Sequence, residues 1–128
     1  MFGQKSKTTI DTLIGATTRI DGDVQCKGGL RLDGVVRGNV IADGAGSMLV
    51  ISEHARVEGE VRGGHLVVNG EIVGPVFSTE LLELQPQARI TGDVTYKSLE
   101  MHAGAVVTGR LTPGQAGEPV LKLAASST

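Results

Sequence analysis

The chain has 128 residues, with 12 basic and 14 acidic side chains interspersed to a net charge of −2, which leaves no clustered basic footprint for a nucleic acid. Cys26 is the sole cysteine, so neither an intrachain disulfide nor a cysteine-based zinc site is available, and no apolar run approaches the roughly 20 residues of a membrane-spanning helix. The length fits one domain, and with Phe2, Phe77 and Tyr96 as the only aromatics the interior must be filled by Val, Leu, Ile and Ala.

Residues 1–11 match nothing downstream and read as a flexible arm. Met1 and Phe2 form an apolar tip, Lys5 and Lys7 follow, and no acidic side chain precedes Asp11. A few apolar groups beside positive charge are what a weak interfacial anchor requires, each lysine adding about 1 kcal/mol near an anionic leaflet. Gly3 does not directly follow the initiator Met, so myristoylation is not expected. A single anchor of this size binds poorly; many on one assembly bind well, so the arm makes physical sense on a polymer.

A repeat then begins. Its first copy, Ile14, Thr18, Ile20, Gly22 and Val24, is the least regular, as terminal repeats are. Next come Leu30, Leu32, Val36, Gly38 and Val40, then Leu49, Ile51, Ala55, Val57, Gly59 and Val61, then Leu66, Val68, Ile72, Gly74 and Val76. The last two are Leu82, Leu84, Ala88, Ile90, Gly92, Val94 and Leu99, Met101, Ala105, Val107, Gly109, Leu111. Apolar and polar positions alternate at period two, the pattern of a strand with one buried face. The six repeat glycines are spaced by 16, 21, 15, 18 and 17 residues, and a period near 17 divides into three short strands and three corners. The expected fold is therefore an all-β, single-domain, three-sided parallel β-helix of about six rungs over residues 12–111, a rod on the order of 25 Å long.

Corners account for the uneven spacing. The second and fourth copies are two residues shorter there, and Gly34 and Gly70 are expected to make the sharper turn through positive φ. The segment from Ile41 to Met48 stretches one interval to 21 and is expected to bulge outward; its Gly44 and Gly46 lack the Lys-Ser/Thr of a phosphate-binding loop. Outward residues just before the repeat glycines form a column, Asp21, Arg37, Glu58, Val73, Thr91 and Thr108, whose charged members read as a solvated face. Around the fourth rung the outside turns apolar, which makes Val73, Pro75 and Phe77 the candidates for a lateral or partner contact; Pro75 also points to a strand end or bulge. After Leu111 the repeat stops, and residues 112–128 read as a disordered tail whose only apolar cluster is Val120-Leu121-Lys122-Leu123.

Catalytic chemistry is not visible. His54, His65 and His102 fall at different places in the repeat and read as exposed corner residues outside any metal-ligand spacing. No nucleophile elbow occurs, and the carboxylate pairs Asp21/Asp23 and Glu58/Glu60 face outward on a convex surface. No enzyme activity, cofactor, metal or nucleotide is expected. The two ends of a β-helix, in contrast, expose unpaired strand edges and apolar interior, which template further pairing unless capped. End-to-end self-association is expected, with Leu13, Ile14 and Ile20 at one end and Val106, Val107 and Leu111 at the other. Like ends meeting give a filament without polarity and unlike ends a polar one.

The run Leu13-Ile14-Gly15 to Ile20-Asp21-Gly22-Asp23-Val24, the Val-x-Gly-x-Val units, and Ala88-Arg89-Ile90-Thr91-Gly92-Asp93-Val94 through to Gly104-Ala105 resemble the bactofilins over residues 13–111. The start, Met1 to Lys7, is similar to the short membrane-targeting segment of many members. The resemblance implies a bacterial cytoskeletal scaffold: a right-handed β-helix that polymerises end to end into non-polar filaments without nucleotide. It implies a place on the inner face of the cytoplasmic membrane, with anionic lipids and cell-wall or morphogenetic proteins as partners besides the chain itself. One departure stands out, since relatives often carry an aromatic in a Gly-Ala-Val-Phe-like run of the last rung where this chain has Gly104-Ala105-Val106-Val107. Two rivals are a non-polymerising adaptor and an acyltransferase of the left-handed β-helix type; the uneven rungs and the lack of a cofactor-binding second domain speak against the latter.

Overall fold

The structure is a computed structural model that describes residues 10–114, all strand, turn and corner with no helix among them. The strands are β1 (Ile10–Ile14), β2 (Arg19–Asp21), β3 (Val24–Leu32), β4 (Val35–Arg37), β5 (Val40–Ile51), β6 (Arg56–Glu58) and β7 (Val61–Val68). They continue as β8 (Glu71–Val73), β9 (Val76–Leu84), β10 (Arg89–Thr91), β11 (Val94–Tyr96), β12 (Ser98–Met101), β13 (Val106–Thr108) and β14 (Leu111–Pro113). Every pairing is parallel and joins a rung to the one above, with one sheet ordered β2-β4-β6-β8-β10-β13 and the other β1-β3-β5-β7-β9-β11-β14, β12 also pairing with β9. The long strands β3, β5 and β7 change register between Lys27 and Gly29, Ile41 and Met48, and Gly63 and His65, so the second sheet folds over a corner into two faces. This is the expected parallel solenoid of about six turns.

Repeat positions stack in register as the alternation requires. One column runs Ile20, Val36, Val57, Ile72, Ile90 and Val107. A second runs Val24, Val40, Val61, Val76, Val94 and Leu111, and a third Ile14, Leu32, Ile51, Val68, Leu84 and Met101. The interior members are fully buried and form one continuous core. Each contributes about 1.5–3 kcal/mol relative to exposure, which is how a chain nearly without aromatics holds a narrow prism together.

The strands extend past both edges of the expected helix. Strand β1 starts at Ile10, which pairs with Gly29, so Ile10 and Asp11 belong to the first rung rather than to the arm; Asp11 Oδ1 accepts a bond from the Gly29 N–H at 3.2 Å. At the other edge Tyr96 aligns with Pro113, which places Thr112 and Pro113 in β14 rather than in the tail. Ladder pairing continues there without the apolar alternation that marks it in sequence.

Corner chemistry departs from expectation at Gly34 and Gly70. Neither has positive φ; a Cβ on Gly34 would fall well inside 3.0 Å of the Thr18 and Gly15 carbonyl oxygens, and one on Gly70 inside 3.0 Å of those of Ser52 and Ala55. The short corners are glycine because the neighbouring rung's turn fills the space of a side chain. Positive φ is instead used by the repeat glycines, from +134° at Gly22 to +156° at Gly38, and these sit directly on one another. Beside that column runs a hydrogen-bonded one: Asn39 N–H donates to Asp23 Oδ1, Glu60 N–H to Asn39 Oδ1, and Arg110 N–H to Asp93 Oδ1. Pro75 takes the same place between β8 and β9, where it interrupts no strand ladder. The insertion after Asp43 does bulge, leaving residues 44–47 between the pairs Lys27–Asp43 and Gly29–Met48. Ser47 at its end is buried, donating to the Ala42 carbonyl at 3.2 Å and accepting from the Gly64 N–H at 3.1 Å.

Candidate assembly surfaces

The two ends of the rod differ from its middle in one respect that bears on assembly: the core columns open there. Ile20 and Val24 at the first rung and Met101, Ala105 and Val107 at the last are only partly covered, whereas their counterparts Val36, Val40, Leu84 and Ala88 are 0% exposed and Ile90 1%. Leu111 closes the second column 39% exposed, against 0% for Val94 beneath it. At the first end β1, β2 and the leading part of β3, and at the last end β12, β13 and β14, have no strand neighbour on their outer side among the described residues, so a row of backbone N–H and C=O groups accompanies the open core.

The six residues expected at the ends separate by direction. Ile14, Ile20, Val107 and Leu111 stand in the inward columns, Ile14 already buried at 8% exposure. Leu13 aligns with Arg31 and Val106 with Arg89, which puts both on outward columns, 62% and 46% exposed. The candidate anchor residues Met1, Phe2, Lys5 and Lys7 lie outside the described residues, as does the Val120–Leu123 cluster.

On the flank, Val73 is half-buried and Pro75 exposed, while Phe77 is half-buried with the Arg62 guanidinium over its ring at 4.4 Å. That cation–π contact occupies the face of the only large apolar group in the expected lateral patch. The first sheet's outer surface is charged and internally answered. Arg56 reaches Glu58 at 2.9 Å and Glu71 at 2.6 Å, and Arg37 stands 3.8 Å from Glu58. The Arg56 hydrogen bond holds the Glu58 carboxyl below its ordinary value. Such exposed pairs contribute little to stability.

Histidines divide as well. His54 and His102 are exposed corner residues, but His65 lies half-buried within β7, 3.5 Å from Glu83. Cys26 is half-buried between Asp11 and Asp43; burial first, then the two carboxylates, pushes its thiol pKa up. Sequence reading missed the meeting of Glu83, Glu100 and His102 on one face, because it depends on the register of β9 against β12.

A profile of the bactofilin family, described as polymer-forming cytoskeletal, matches residues 12–112. Bactofilin BacO of Myxococcus xanthus is 22% identical over 110 residues, covering 86% of this chain and 85% of its own. Among solved structures, a bactofilin of Thermus thermophilus in double helical filaments superposes with a TM-score of 0.70 at 30% identity, covering 80% of this chain and 99% of that one. The cytoskeletal bactofilin BacA superposes with a TM-score of 0.70 at 34% identity, covering 81% and 96%. With a solenoid whose ends both lay open core and strand edge, and a family match over most of its length, the chain belongs to the bactofilins, the polymer-forming cytoskeletal family.

Proposed function

We propose that this bactofilin is a scaffold whose rods join end to end, without nucleotide, into filaments on the inner face of the cytoplasmic membrane, where they hold cell-wall or morphogenetic proteins in place. The observation that carries the assembly step is the opening of the core columns at both ends, with Val107 and Leu111 only partly covered at one and Ile20 and Val24 at the other. Stacking a second rod there buries apolar surface and pairs strand edges in one step, and every added subunit presents a fresh end. Among the described residues no phosphate-binding loop accompanies these ends, and growth on this reading is set by concentration. Met1, Phe2, Lys5 and Lys7 supply the membrane contact, weak singly and strong when many arms share one filament.

Negative-stain electron microscopy of the purified chain without nucleotide, with and without anionic liposomes, tests this reading. Filaments that coat liposomes, and cease to do so when residues 1–7 are deleted, are expected. Short particles of uniform size at all concentrations would instead favour the non-polymerising adaptor, and filaments indifferent to liposomes would remove the membrane from the proposal.

A further inference from the structure

We propose that the outer face of the last two rungs binds a divalent transition cation through Glu83, Glu100 and His102. Glu83 on β9 and Glu100 on β12 are register partners, and His102 stands at the corner just past the end of β12, two residues beyond Glu100. One ligand atom from each, two carboxylate oxygens and an imidazole nitrogen, lie within 4.8 Å of one another. Bonds of about 2.0–2.2 Å to a zinc ion place neighbouring ligands roughly 3.3 Å apart, so the set draws closer together to hold one. The backbone beneath is fixed: His102 N–H donates to the Leu84 carbonyl at 2.9 Å and its own carbonyl accepts from Ala105 N–H at 3.2 Å.

Two further observations bear on a cation at this face. On the rod several outward carboxylates are answered by arginine, Asp21 by Arg19, Asp33 by Arg31, Glu58 and Glu71 by Arg56, Glu60 by Arg62, while Asp43 and Glu80 accept from Gln25 Nε2 and Gly46 N–H instead. Glu83 and Glu100, both half-buried, sit on adjacent rungs as like charges, and among the described residues neither has an arginine or lysine partner; Gln85 Nε2 donates to Glu83 at 2.9 Å. Like charges directly opposite across a ladder are destabilising, and an ion between them reverses that sign. Second, in a His65 side chain that is 31% exposed the Nε2 atom itself is covered and has no hydrogen-bond partner among the described residues, 3.5 Å from Glu83 Oε1. An orphaned nitrogen of this kind calls for an explanation, and a cation held at Glu83 gives it a neighbour. Nitrogen and carboxylate donors with a site open to water suit Zn2+ or Co2+. Bound there, the ion ties β12 to β9 and stiffens the rung at one end of the rod.

Equilibrium dialysis of the full-length chain against Zn2+, with Co2+ absorption as the spectroscopic readout, tests the site. One saturable equivalent per chain is expected. His102→Gln and Glu100→Gln are each expected to weaken it roughly tenfold or more, while His54→Gln, at another corner, leaves it unchanged. His102 is exposed, so its variant keeps the fold, which circular dichroism verifies. Equal binding by wild type, H102Q and E100Q, or no saturable uptake up to about 1 mM Zn2+, would overturn the proposal.

Discussion

Replacing Gly59 and Gly22 separately by alanine divides two effects that the glycine column combines. Both have positive φ, +155° and +134°, so each substitution incurs backbone strain of about 1–3 kcal/mol. At Gly22 nothing lies within 4 Å of the new Cβ, and strain is the whole cost. At Gly59 the Cβ falls well inside 3.0 Å of the Gly38 carbonyl oxygen, and the rungs must part. Next to that contact Gly38 N–H donates to the Glu58 carbonyl at 3.0 Å, Val40 N–H to that of Glu60 at 2.8 Å, and Glu60 N–H to Asn39 Oδ1 at 2.9 Å. Loosening two or three of these at about 1 kcal/mol each makes Gly59→Ala roughly 2–3 kcal/mol worse than Gly22→Ala. For a domain of this size the gap is on the order of 10–20 °C in melting temperature. Thermal unfolding followed by far-ultraviolet circular dichroism measures it, at matched protein concentrations because self-association raises the midpoint. Equal losses would show that the column is glycine for its φ alone and that close stacking contributes nothing.

Acid should weaken the fold in a defined direction. The Ser52 hydroxyl first, and Arg31 with it, holds Asp33 below its ordinary value of 3.8, and Arg56 does the same for Glu58. A carboxyl whose pKa is lowered by folding stabilises the folded state above its unfolded pKa and ceases to as pH falls through the folded one. The unfolding midpoint should therefore stay level down to about pH 5 and drop below pH 4, with Ser52→Ala removing part of the drop; a midpoint indifferent to pH across that window would refute it. Cys26, with its thiol pKa raised by burial and by Asp11 and Asp43, should react with iodoacetamide at neutral pH more slowly than a free cysteine, and Asp43→Asn should speed it. Labelling at the free-cysteine rate would contradict both causes.

The repeat was legible because Val, Leu and Ile at period two and a glycine near every seventeenth residue are local signals, and the register columns follow from them. What stayed hidden depends on contacts between rungs. Gly34 and Gly70 look like turn residues in sequence, yet the demand on them comes from the carbonyls of Thr18 and Ser52 in the adjoining corner. Ser47 and Ser78 give no sequence sign of being buried, since each is satisfied by a backbone group of another strand, Gly64 N–H for one and the Gly64 carbonyl for the other. Glu83 and His102 meet only through the pairing of β9 with β12. Of the two valines expected at the last end, the alternation already marks Val107 and not Val106 as the repeat position, and the pairing of β13 with β10 sets Val107 above Ile90 on the inner column and Val106 above Arg89 on the outer one.

That separation gives a way to determine how the rods join. Val107 stands above Ile90 in an open core column, so Val107→Asp places a carboxylate in the apolar contact that stacking would create, while Val106→Asp places one on the outer face at a residue already 46% exposed. An unpaired charge in such a contact costs on the order of 3 kcal/mol, more than a hundredfold in association, and the outer substitution costs almost nothing. If like ends meet, Val107→Asp breaks one of two alternating contacts and leaves the other, so the variant sediments as dimers joined through Ile20 and Val24. If unlike ends meet, every contact uses the damaged end and the variant sediments as monomers. Filaments that persist in Val107→Asp but vanish in Val106→Asp would mean that the rods associate through their flanks, and the open ends would need another explanation.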